Sequence, residues 1–251
     1  MAIRRMQFMN IELDNITMRE AVNYLMGCIE KREQIYVVTP NVDHIVQLET
    51  NNTLREAYAG SGLIVTDGTP LIWLSQLYGT PIREKICGSD LGPQLAEAMA
   101  KQGMSVFLLG AMPGVGLRAA DELRRRYPGL RIAGVYSPPK GFESDPAEMQ
   151  RILDMLNASG ADVLFVGLGA PKQEIFMYRN RDKYTIPVSL GIGATIDFLA
   201  GEIKRAPPWV NRIGFEWLYR VYQDPKRLAK RYFIDDAIFF KLCFKYRPKR
   251  P

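Results

Sequence analysis

The segments that most restrict the fold are short apolar runs that stop at a cluster of Gly, Asp, Asn or Thr and give way to a helical pattern. Three stand out: I-Y-V-V-T-P-N-V-D-H (35–44), L-I-V-T-D-G-T-P (63–70) and V-L-F-V-G-L-G-A-P-K-Q-E (163–174). A strand apolar on both faces needs cover on both sides, which a parallel sheet wrapped by helices supplies. In open sheets of this kind ligands bind outside the carboxyl ends of the strands. Several strand tips are therefore expected to line one pocket, and they carry Thr39, Asn41, Asp43, Asp67, Lys172 and Gln173.

The rest of the chain repeats the alternation. The 3.6-residue period predicts a helix over 18–30, with Asn15 or Thr17 as its cap, and one long helix near 42–58. Further helices are expected at 70–79, 88–103 (capped by Ser89 or Asp90), 115–127, 146–159 and 172–182. Strands are expected at 35–38, 62–66, 105–110, 131–136, 162–167 and 186–191. This pattern predicts an α/β fold: a mostly parallel Rossmann-like sheet with helices on both faces. Residues 1–200 form the expected core and residues 201–251 a basic, aromatic, α-helical C-terminal appendage.

Composition removes several classes of function. The three cysteines, Cys28, Cys87 and Cys243, stand far apart without a C-x-x-C pair, so neither a disulfide framework nor a zinc site is expected. His44 is the one histidine, and a hydrogen-bonded structural role is the commoner use of such a residue. No G-x-S-x-G elbow is present to build a serine triad. The first residues lack the apolar core of a signal peptide, and no run approaches the ~18–20 apolar residues that span a bilayer. A cytoplasmic location is expected.

Charge is unevenly spread. The chain carries +6 overall, yet residues 1–200 sum to −2 and residues 201–251 to +8. The same stretch holds aromatic residues at helical spacing, a composition suited to an anionic membrane surface. A helix pair docked on the core with a solvated basic face is the plainer reading. Nucleic acid is not expected as a partner, because no binding module for it is visible. Exposed apolar stripes leave homo-oligomerisation open.

The motifs differ in weight. G-A-M-P-G-V-G places Gly110 and Gly114 between a strand and a helix, where they can cradle a phosphate or simply make a tight turn. It matches neither the P-loop nor the dinucleotide fingerprint, and no acidic residue follows at ribose spacing, which disfavours an NAD-linked oxidoreductase. V-G-L-G-A-P-K-Q-E is stronger. Gly167 and Gly169 permit close approach of a ligand, and Lys172 and Gln173 lie in a helical first turn that favours an anion such as a diphosphate. Asp67 is a carboxylate at a strand tip and can act as a general base, or it can cap the following helix. Tyr136, at the end of strand 131–136, and Asp197, one turn into a short helix after G-I-G-A-T, complete the set of pocket candidates. In the appendage, Arg205, Arg212, Arg220 and Arg227 are placed to neutralise a diphosphate leaving group.

Taken in order, T-P-N-V-D-H, T-D-G-T-P, G-S-D-L, G-L-G-A-P-K-Q-E, G-A-T-I-D-F-L-A-G and A-P-P-W-V…F-E-W-L-Y-R…D-P-K-R-L…R-Y resemble the WecG/TagA/CpsF glycosyltransferases over about residues 8–232. The resemblance implies an inverting transfer of a sugar from a UDP donor to a polyprenyl-diphosphate-linked saccharide at the cytoplasmic membrane face. It implies no obligatory metal or other cofactor. By position, Asp67 matches the catalytic base, Thr39 the polar residue beside it, Gln173 the glutamine near the diphosphate, and Asp197 the nucleoside end. The appendage matches the segment that completes the site and meets the membrane. The family's usual arginine before G-x-D is Lys85 here, with Arg83 two residues away, and either residue is a candidate for that role. A different class of function, a non-catalytic nucleotide-binding module docked to a membrane complex, stays open and would bind UDP without transferring sugar.

Overall fold

In the computed structural model the described residues are 5–207, 210, 216–223, 225 and 237–248. The chain opens with an antiparallel hairpin, β1 (Arg5–Phe8) and β2 (Ile11–Asp14). α1 (Met18–Glu30), β3 (Ile35–Val38), α2 (Val42–Gln47), α3 (Asn52–Ala59), β4 (Leu63–Ile64) and α4 (Thr69–Leu77) follow. Next come α5 (Gly88–Ala100), β5 (Ser105–Gly110), α6 (Val115–Arg126), β6 (Arg131–Tyr136), α7 (Pro146–Ser159), β7 (Val163–Gly167) and α8 (Lys172–Asn180). β8 (Val188–Gly191) and α9 (Thr195–Leu199) complete the sheet region. Two more described helices are α10 (Glu216–Gln223) and α11 (Ile238–Lys245).

The main sheet has six strands in the order β4-β3-β8-β7-β5-β6, all parallel. Period-two alternation splits each strand between two cores. Val37, Val106, Leu108, Val163, Phe165, Val188 and Leu190 pack with α1, α5, α6 and α9 on one face. Tyr36, Val38, Phe107, Leu109, Leu164 and Val166 pack with α2, α3, α7 and α8 on the other. This is the doubly covered parallel sheet that the unbroken apolar runs require.

Three local features differ from the sequence expectation. The helix expected over 42–58 is two helices, because the Asn51 side chain accepts from the Leu54 N–H at 3.0 Å and starts a new helix. The strand expected over 62–66 pairs regularly only at 63–64, although the Gly62, Val65 and Asp67 N–H groups go on donating to the Tyr36, Val38 and Pro40 carbonyls along the β3 segment. The hairpin at 5–14 has no Gly or Pro to announce its turn, which falls at Met9 with φ 52°. Its Asp14 is buried and accepts from the Ile64 N–H at 2.8 Å, so the hairpin caps the β4 edge of the sheet. Burial raises the Asp14 carboxyl above its ordinary range, while the Ile64 N–H and Arg5 pull the other way.

α11 lies back on the core. Tyr246 donates to Glu49 at 2.7 Å, Lys245 pairs with the same carboxylate, and the Tyr78 hydroxyl donates to the Cys243 carbonyl. No helix among the described residues is long and apolar enough to cross a membrane.

Candidate active site

The parallel sheet puts the carboxyl ends of β3, β4, β5, β7 and β8 on one edge, and the loops there touch one another in series. After β3 the chain runs through the buried Thr39 to Asn41, whose side chain caps α2 by accepting from the His44 N–H. After β4 the Asp67 N–H donates to the Pro40 carbonyl at 2.8 Å, which seats Asp67 directly beside the β3 loop. The Ile86 N–H donates to the Thr66 carbonyl at 2.8 Å, which draws the start of α5 to the same place.

At that helix start, Cys87 is buried and its thiol donates to Asp90 at 2.8 Å. Burial pushes this thiol far up, and the Asp67 and Asp90 carboxylates add to the effect, so Asp67 lies within electrostatic reach of Cys87. Arg205 donates to Asp90 at 2.7 Å and also contacts Ser89. Burial raises the Asp90 carboxyl, but hydrogen bonds from Arg205 and Cys87 outweigh it and hold the group below its usual range. Lys85 adds to that positive field, whereas Arg83 pairs with Glu20 at 2.8 Å in the first turn of α1.

The other strand tips pack without room to spare. A Cβ on Gly110 would stand 2.3 Å from the Gly167 carbonyl oxygen, and Gly110 has φ 122°, so only glycine fits. A Cβ on Gly167 would meet the Gly193 carbonyl at 3.0 Å and Ile196 of α9 at 2.8 Å, which brings Asp197 of the same helix to this side of the sheet. A Cβ on Gly88 would meet the Gly191 carbonyl at 3.1 Å, so α5 begins against the β8 tip.

Gln173 is buried in the first turn of α8, where its Oε1 accepts from the Gly193 N–H at 3.0 Å and its Nε2 donates to Glu174 at 2.8 Å. Its amide therefore joins the β7 and β8 tips. Lys172 pairs with Glu143, and the Tyr136 hydroxyl donates to Glu148. Gly114 is the left-handed N-cap of α6, and Gly169 has φ 76° in the turn before α8. Arg212 and Arg227 lie outside the described residues, as does the side chain of Arg220.

One grouping escaped the sequence reading. His44 Nε2 stands 3.2 Å from Glu174 Oε1, and both side chains are buried. The hint was present, since a glutamate in a first turn that faces apolar neighbours needs a partner.

Comparison with known proteins bears on this edge. The family model described as Glycosyl transferase WecG/TagA/CpsF family matches residues 6–251. An N-acetylglucosaminyldiphosphoundecaprenol N-acetyl-beta-D-mannosaminyltransferase from Bacillus spizizenii is 30% identical over 225 residues, covering 90% of this chain and 84% of the relative. On a match of that extent, the chain belongs to the WecG/TagA/CpsF family of glycosyl transferases.

Proposed function

We propose that this enzyme transfers a hexose-type sugar from a UDP donor to a polyprenyl-diphosphate-linked saccharide during cell-surface polysaccharide synthesis. The relative from Bacillus spizizenii is named for a diphosphoundecaprenol acceptor, which supports that substrate class. The observation that carries the reading is the series of contacts from Asp67 through Pro40, Ile86 and Gly88 to the Gly191–Gly193 turn. A carboxylate and a ring of close-packed glycine turns thereby share one edge.

In this reading the donor diphosphate lies against the backbone of the 167–169 and 191–193 turns, and the amide of Gln173 keeps the second turn in shape. Asp67, with Thr39 beside it, removes the proton from the acceptor hydroxyl. That oxygen attacks the anomeric carbon opposite the departing UDP, so the configuration inverts. Residues 201–251 act as an appendage, with Arg205 at its root and its further arginines balancing the charge of UDP. The protein works at the inner face of the plasma membrane. Exposed Phe240 and Phe244 on α11, with Trp73 and Leu77 on α4, support that placement, because Tyr78, the residue that ends α4, bonds to α11.

The test is UDP release across a donor panel that begins with UDP-N-acetylmannosamine, using a short lipid-diphosphate-N-acetylglucosamine acceptor. Asp67→Asn is expected to lower kcat by roughly 10²–10⁴-fold while UDP binding by calorimetry stays within a few fold. A folded variant that no longer binds UDP would move Asp67 from catalysis to binding. Anomeric coupling constants of the product report inversion directly.

A further inference from the structure

Beneath the candidate site lies a polar cluster of which the reaction scheme above uses Gln173 and leaves the buried His44, Tyr58 and Glu174 without a role. Glu174 Oε1 accepts from Gln173 Nε2 at 2.8 Å and lies 3.2 Å from His44 Nε2. Glu174 Oε2 and the Tyr58 hydroxyl are buried and have no hydrogen-bond partner among the described residues. The Tyr58 and His44 rings stand 6.1 Å apart. Burial, then the charges of Glu174, Asp43 and Asp67, raise the Tyr58 hydroxyl well above its ordinary value, so it remains neutral. Leaving a carboxylate oxygen and a hydroxyl unpartnered in a core typically costs about 1–3 kcal/mol each, and such groups call for a reason.

The wiring supplies one. His44 Nδ1 lies 2.9 Å from Asn41 Oδ1 and 3.3 Å from the Asn41 backbone N. Asn41 follows Pro40, whose carbonyl accepts from the Asp67 N–H. On the other side, Gln173 holds the Gly193 N–H. Nδ1 has Asn41 as its partner, and Nε2 faces the Glu174 side chain, to which an Nε2–H tautomer donates. Both imidazole nitrogens thus have a neighbour within hydrogen-bonding distance.

We propose that Glu174 is a positioning residue, which through His44 fixes the 39–41 turn that seats Asp67 and through Gln173 fixes the 191–193 turn. It sets the distance between the base and the bound donor without touching either. The kinetic part of this inference rests on the glycosyl-transfer reading of the site; the spectroscopic part does not. A displacement of about 1 Å in such a base costs up to roughly 10²-fold in rate.

His44 is the sole histidine, so tag-free protein labelled with 15N gives a single imidazole spin system. Wild type is expected to show a protonated Nε2 at neutral pH. Glu174→Gln, which keeps the volume, is expected to redistribute that proton and to lower kcat for UDP release roughly 10–100-fold, with donor KM within about threefold. Normal kcat in folded Glu174→Gln overturns the proposal, as does a loss in kcat that tracks a rise in KM. Should that variant not fold, the wild-type spectrum decides: a bare Nε2, with the proton on Nδ1 alone, overturns the wiring. A wild type that releases no UDP yet shows the expected spectrum counts against the donor assignment and leaves the clamp standing.

Discussion

Cys87 illustrates what burial does to a nucleophile. Only the thiolate attacks, and here burial first, then the Asp67 and Asp90 carboxylates, drive the thiol far above its ordinary range. Its proton is also used in a bond to Asp90. Iodoacetamide at about pH 8 is therefore expected to modify the partly exposed Cys243 and to spare Cys87 until the protein is unfolded; mass spectrometry of the digested adducts reads the ratio. Rapid labelling of Cys87 in the native protein would mean that the α5 start opens in solution. At this scale the sequence was partly legible. Asp67, Thr39 and Asn41 are visible because Gly, Pro and Asn mark strand tips. Glu174 was not singled out, because its reason for being buried is a histidine 130 positions earlier in the chain.

At the scale of elements, the apolar runs at 35–38, 105–110 and 163–167 were legible because two-sided burial leaves little room for polar residues. The break between α2 and α3 was hidden, since Asn51 interrupts a stripe that stays in phase on either side. The start of α5 was also misjudged, because neither Ser89 nor Asp90 caps it: Cys87 occupies the cap position, and Asp90 instead turns to Arg205. That pairing fastens the segment after α9 to the pocket side of the core. The folded Asp90 carboxyl sits below its unfolded value, so its contribution is present above the ordinary carboxylate pKa and is lost as pH falls through the folded one. The melting-temperature difference between wild type and Asp90→Asn is expected to be largest near about pH 7 and to vanish toward about pH 2–3. A difference independent of pH would remove the charge from the explanation.

For the whole molecule, the uneven charge and the exposed aromatics act together. Residues 201–251 carry +8, while Phe240 and Phe244 are 72% and 77% exposed on a helix anchored at Glu49. Co-sedimentation with vesicles rich in phosphatidylglycerol is expected to fall several-fold in the Phe240→Ser/Phe244→Ser double variant and to weaken with added salt. Turnover of a soluble acceptor analogue is expected to stay unchanged in that variant; a parallel loss of both would assign α11 to the catalytic half. The order of the sheet has a consequence for how the chain is made. β8 lies between β3 and β7, although it is the last of the six strands to leave the ribosome. Until residue 191 emerges, the nascent chain holds two half-sheets with no strand to join them, and the insertion that welds them also delivers the turn under Gln173. Assembly of the scaffold and completion of its strand-tip edge are thus one event, so a chain arrested before β8 is left with an unfinished sheet and an edge that lacks its 191–193 turn.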